Sequence, residues 1–93
     1  MLYLRMCLDK EGVGDKRNEL RQEHREYLMN GGVRVVQAGP MCVSDTDDTN
    51  IGSFLIIEAD SHEQAMRFHE GDPFTKAGLY DHAHVHRWDK HIG

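Results

Sequence analysis

Gly52-Ser53-Phe54-Leu55-Ile56-Ile57-Glu58-Ala59-Asp60-Ser61-His62-Glu63-Gln64 contains the change of period that decides the fold. Its apolar run is continuous and of strand length, which predicts a strand, Gly52–Ala59, with both faces buried. Ser61, followed three residues later by Gln64, is a capping box that starts a helix. Ala65, Met66 and Phe68 give that helix one apolar side. Asp72-Pro73 ends it, because the residue before proline avoids helical backbone. Pro73 to Gly78 reads as a helical turn closed by glycine, and Tyr80 to about Trp88 alternates as a last strand. The second half of the chain is therefore strand, helix, strand.

The first half has the same order. Leu2 to Asp9 alternates, with Leu2, Leu4, Met6 and Leu8 on one face and Tyr3, Arg5, Cys7 and Asp9 on the other, as in a half-buried strand. Lys10 to Gly14 is a loop, and Asp15 is expected to cap the helix that follows. That helix stops at Asn30-Gly31-Gly32, a C-terminal glycine signal. Val33 to Ala38 is a second strand, ended by Gly39-Pro40. Ser44 to Asn50 reads as a solvated acidic loop, since it lacks the glycine and closing glutamate of a calcium loop.

Two such units, with no linker or low-complexity segment, predict one domain over residues 1–93. Its class is α+β, a ferredoxin-like βαββαβ arrangement with a four-stranded antiparallel sheet. Right-handed crossovers put both helices on one side of the sheet. The other side would lie open while carrying apolar residues of the third strand, and a second copy packed sheet against sheet is the simplest cover. The expected partner is thus a second chain, a homodimer enclosing a space between the sheets.

Composition narrows the function classes. Eleven Lys and Arg against 16 Asp and Glu give a net charge of −5, which argues against nucleic acid as a partner. No apolar run approaches the roughly 20 residues that cross a bilayer, so no membrane partner is expected. The N-terminal residues show no basic region followed by an apolar stretch, and Cys7 and Cys42 form no paired motif. Both features fit a cytoplasmic protein with reduced thiols.

His24 is the leading site candidate. It interrupts the apolar stripe of Leu20, Tyr27 and Leu28 one helical turn from Leu20 and Leu28, so a titratable ring faces the core side of its helix. The plain alternative is a buried histidine bonded to a backbone carbonyl. The functional reading is a general acid/base. Arg17 and Arg21 share its helix face, favour the neutral ring by charge, and can grip a carboxylate or phenolate. They can equally be a solvated edge paired with Asp15, Glu23 or Glu26. Asp72 can cap the turn opened by Pro73, and it can also accept the imidazole N–H and fix its tautomer. Ser53 and Tyr80 are weaker candidates for substrate hydrogen bonds. His82, His84 and His86 alternate, which stands three imidazoles on one strand face roughly 7 Å apart. Such a row can supply metal ligands or simply be a polar sheet surface. No metal is assigned. No organic cofactor is implied, because there is no glycine-rich phosphate loop.

With these residues in hand, the chain resembles the YciI-like, YCII-related family of small bacterial proteins. The matching pieces are Asp9-Lys10, Arg17…Arg21…His24, Ala38-Gly39-Pro40, Gly52-Ser53, and Asp72-Pro73-Phe74 with Ala77-Gly78-Leu79-Tyr80. The resemblance runs from Met1 to about Trp88. It implies a dimeric α+β barrel and a His–Asp pair as active site, which here are His24 and Asp72. One branch of the family is similar to dehydrochlorinases of chlorinated hydroxyquinol-type aromatics, and muconolactone isomerases share the fold. The chain departs from the pattern at His82 and His84.

The resulting expectation is a small-molecule enzyme of lyase, isomerase or dehydrochlorinase type, acting on an anionic or aromatic ligand. Its rivals are a non-catalytic ligand-binding or accessory dimer and a metal-dependent oxygenase resting on the histidine row.

Overall fold

The computed structural model describes residues Met1–Gly93. The elements are β1 (Leu2–Asp9), α1 (Gly14–Asn30), β2 (Arg34–Ser44), β3 (Asp47–Glu58), α2 (His62–Gly71), α3 (Pro73–Lys76) and β4 (Tyr80–Arg87). The strands form one antiparallel sheet in the order β2-β3-β1-β4, the expected ferredoxin-like topology. No helix is long and apolar enough to cross a membrane.

The register sorts β1 into two faces. Arg5 lies opposite Leu55 and Val85, and Met6 lies opposite Phe54 and His84. The core forms on the Arg5 side, where Tyr3, Leu55, Ile57 and Val85 of the sheet meet Ala65 and Phe68 of α2, with Tyr27 and Leu28 of α1 packed against them. The helices therefore cover the face carrying Tyr3, Arg5 and Cys7. Leu2, Leu4, Met6 and Leu8 stand half-buried on the open face. β3 is buried on its helix side at Leu55 and Ile57, and on its open side at Ile56, but Phe54 stays 40% exposed.

Three local expectations are revised. β2 does not stop at Gly39-Pro40, and Ser44 to Asn50 is not a loop. β2 runs to Ser44, the chain reverses at Asp45-Thr46, and Ser44 pairs with Asp47 in a long hairpin. Pro40 is tolerated because β2 is an edge strand, where a missing N–H need not break the ladder. The polar hairpin tip is solvated as expected, and its backbone bonding outweighed its composition. Asp15 does not cap α1: Val13 occupies that position without a side-chain bond, and Asp15 lies in the first turn, where its charge favours the helix dipole.

The other boundary signals match. Gly32, at φ 91°, follows the end of α1 in a conformation that favours glycine. Ser61 Oγ accepts the Gln64 N–H at 3.1 Å, and Gln64 Oε1 accepts the Asp60 N–H at 2.6 Å. Gly52 is required by a close approach, since a Cβ there would collide with the Cys7 carbonyl.

Candidate active site

His24 is the one buried residue of α1; Leu20, Tyr27 and Leu28 beside it are only half-buried. Its Nδ1 lies 2.8 Å from Asp72 Oδ1. An ionised carboxylate only accepts hydrogen bonds, so Nδ1 carries a proton, and in the neutral ring Nε2 keeps the lone pair. The ring also stacks on Phe74, with centroids 3.9 Å apart and planes 7° from parallel. One face and one nitrogen of the imidazole are thus fixed.

Asp72 sits between α2 and α3 and is fully buried. Its Oδ1 also accepts the Phe74 N–H at 2.9 Å, so one carboxylate caps the turn opened by Pro73 and orients the ring. Burial works to raise its pKa. The His24 hydrogen bond, the Arg5 charge and the Phe74 N–H outweigh that and hold the carboxyl below its ordinary range.

Beneath the pair lies a residue that the sequence reading passed over. Arg5 is fully buried, and its Nη1 is 2.8 Å from Asp72 Oδ2. The contact is a charge pair rather than an aligned bond, since Nη1, Nη2, Nε and Asp72 Oδ2 all lack a well-formed hydrogen bond. The guanidinium lies 5.6 Å from the Phe68 ring and 5.8 Å from the Tyr80 ring. In the sequence it leaves one trace, the strand phase it shares with Tyr3 and Cys7; that Asp72 is buried and needs a cation shows only in the fold.

The His24 ring borders a pocket of about 360 Å³. Arg17, Arg21 and Arg25 line one side of it, and Leu28, Pro40, Leu55 and Phe74 give it apolar wall. It contains no carboxylate among its lining residues, so its charge favours an anion. Arg17 is held by Asp9 through Nε–Oδ2 at 2.9 Å, not by Asp15, Glu23 or Glu26. It lies 4.8 Å from the Phe74 ring centroid. Arg21 is exposed and bonds Asn18 at 2.9 Å. Ser53 also lines the pocket, and its hydroxyl is buried.

Tyr80 is not on the pocket wall. Its hydroxyl is buried near Arg5 and Ser53, and burial pushes the phenol well above its ordinary pKa. His82, His84 and His86 pair with Leu8, Met6 and Leu4, so they occupy the open face, away from His24. The His84 and His86 rings stack at 6.0 Å, and no cluster of three metal-ligating side chains forms.

Residues 1–89 match the YCII-related domain. The chain belongs to the YCII-related domain family. It is 34% identical to Protein YciI of Escherichia coli O6:H1, over 97% of this chain and 98% of that one. The Shigella flexneri Protein YciI matches equally. Among solved structures it is similar to the 5-chloro-2-hydroxyhydroquinone dehydrochlorinase TftG of Burkholderia phenoliruptrix AC1100, in complex with 2,5-dihydroxybenzoquinone. The identity is 38% and the TM-score 0.83, covering 96% of this chain and 94% of that one. At3g17210 of Arabidopsis thaliana, 10% identical with a TM-score of 0.53 over 99% of this chain and 96% of that one, shares the fold alone. The four-stranded α+β core of this YCII-related domain is thus the TftG fold, with His24 and Asp72 paired inside it.

Proposed function

We propose that this YCII-related protein is a small-molecule enzyme of lyase, isomerase or dehydrochlorinase type that works by general acid/base catalysis. The observation that carries the reading is the His24–Asp72 pair, closed to 2.8 Å at the wall of a pocket lined by arginines. His24 Nε2 takes a proton from a substrate hydroxyl or from a carbon next to a carbonyl. Asp72 holds the ring and stabilises the imidazolium that forms. Arg21 and Arg17 hold negative charge developing on the substrate oxygen, and Ser53 offers a hydrogen bond. In a dehydrochlorination the proton passes to Nε2 and chloride departs, so the substrate loses HCl without an external oxidant. An imidazole bonded to a carboxylate, rather than only to backbone, supports catalysis over passive ligand binding.

The active unit is proposed to be a homodimer formed through the open sheet face. Leu2, Leu4, Met6 and Leu8 stand half-buried there beside Phe54, an apolar surface suited to a second sheet. A cytoplasmic location fits the two free thiols, Cys7 and Cys42.

Chloride release from 5-chloro-2-hydroxyhydroquinone, with binding of 2,5-dihydroxybenzoquinone measured by calorimetry, tests the reading. His24→Ala should lower turnover by about 10²-fold or more while leaving the circular dichroism spectrum intact. Parent-level turnover in that variant would overturn the assignment.

A further inference from the structure

We propose that Arg5 is a positioning residue of this site: its buried guanidinium keeps Asp72 an anion aimed at His24 Nδ1, so that the ring presents Nε2 as its free base. The inference rests on the His24–Asp72 reading above and deepens it.

The first support is the isolation of Asp72. Its side chain is fully buried, and a carboxylate without a countercharge cannot stay ionised in such surroundings. Arg5 is equally buried and 2.8 Å away. The second support is the division of the carboxylate. Oδ2 faces Arg5, while Oδ1 takes both the His24 ring and the Phe74 N–H. The guanidinium thus leaves the oxygen used by the imidazole free for it. The third support is the confinement of Arg5 near the rings of Phe68 and Tyr80, which favour a cation and exclude water.

No other group in the interior can take this role. The titratable neighbours are Cys7 on β1, Tyr27 on α1, His69 on α2 and Tyr80 on β4. Burial pushes Cys7, Tyr27 and Tyr80 up, which keeps them uncharged, and burial with Arg5 pushes His69 down, which disfavours a second cation. Arg17 is committed to Asp9, and Arg21 and Arg25 are exposed along the pocket. Arg5 alone balances Asp72 when the His24 ring is neutral. Without it, a neutral ring would sit over a bare buried anion, and the pair would hold its proton to higher pH.

The test needs no substrate. Protein labelled with ¹⁵N-histidine is titrated by NMR, following the His24 ring nitrogens in the parent, Arg5→Lys and Arg5→Gln. In the parent, the neutral ring should carry its proton on Nδ1. In Arg5→Gln, the protonation midpoint of the His24–Asp72 pair should move up by about one pH unit or more. Arg5→Lys should stay near the parent. If Arg5→Gln fails to fold, Arg5→Met is read in its place; if both neutral variants fail while Arg5→Lys folds with the parent's midpoint and tautomer, that contrast shows the need for the charge and supports the proposal, and a folded Arg5→Lys that loses the Nδ1–H tautomer opposes it. A folded neutral variant with the parent's midpoint and tautomer would overturn the role of Arg5. That result would leave the catalytic reading standing, because the reading falls only on an active His24→Ala.

Discussion

On the helix side of β1, Tyr3, Arg5 and Cys7 are sealed from solvent, whereas on the open side Leu2, Leu4, Met6 and Leu8 stay half-exposed. Apolarity alone would have turned the strand the other way, with four aliphatic side chains inward and the arginine outward. The difference lies in what each face meets. Arg5 meets a buried carboxylate and two aromatic rings, so its burial is compensated. The aliphatic row is flanked by Phe54 and Ile56 of β3 and by His82, His84 and His86 of β4, on the face of the sheet opposite the helices. One face has become a site and the other a surface suited to a second sheet.

The contrast is broken most severely by removing the inner charge. Arg5→Met leaves Asp72 buried and bare, and should destabilise the fold by about 3–5 kcal/mol. Adding Asp72→Asn, which retains a cap for the Phe74 N–H, should return a large part of that loss. Urea denaturation of the two single variants and the double variant gives the pair's interaction as a cycle. Losses that simply add would mean that the charges do not need each other, and that the inner face is an ordinary core with an arginine in it.

On the open face the expected effect is smaller and falls on association. Met6→Lys sets a cation between Phe54 and His84, the residues opposite it in the sheet. The subunit should keep its circular dichroism spectrum, while the proposed dimer weakens at least tenfold, about 1.4 kcal/mol. Light scattering across a dilution series reads this directly. A variant that associates as the parent does, or a parent that stays monomeric, would overturn the proposed interface on this face.

These two faces also show where the sequence was legible. The element order and the Ser61 cap followed from local rules of period and capping; local rules also singled out His24 and Asp72 one by one, but their pairing across 48 positions was an expectation that the family resemblance carried. The length of the β2–β3 hairpin did not, because the pairing of Ser44 with Asp47 depends on a partner strand and not on the polarity of the residues between. Arg5 was missed for a related reason. Alternation says that two faces differ, but not which one the helices will cover, and that choice rests on Asp72, some 67 positions away in the chain. Ser53 on the pocket wall was legible from its motif, but the retreat of Tyr80 behind the wall was not.

The smallest expected effect is the pH dependence of the inner face. His69 is pushed below its ordinary 6.5 by burial and then by Arg5, so the unfolded chain binds a proton there before the native one does. Its contribution to stability is therefore complete above about 6.5 and shrinks as the pH falls below that value. Asp72 lies below its ordinary 3.8, so its contribution persists to lower pH and is lost as the pH falls through its native value. Thermal unfolding followed from pH 8 downward should thus show a decline in Tm beginning below about 6.5 and a second, steeper one in the carboxylate range. His69→Gln should remove the upper decline and leave the lower, while His86→Gln on the open face should leave both. Loss of the upper decline in His86→Gln instead would place the acid sensitivity on the surface that carries the histidine row, and would mean that the buried arginine does not govern the ring beside it.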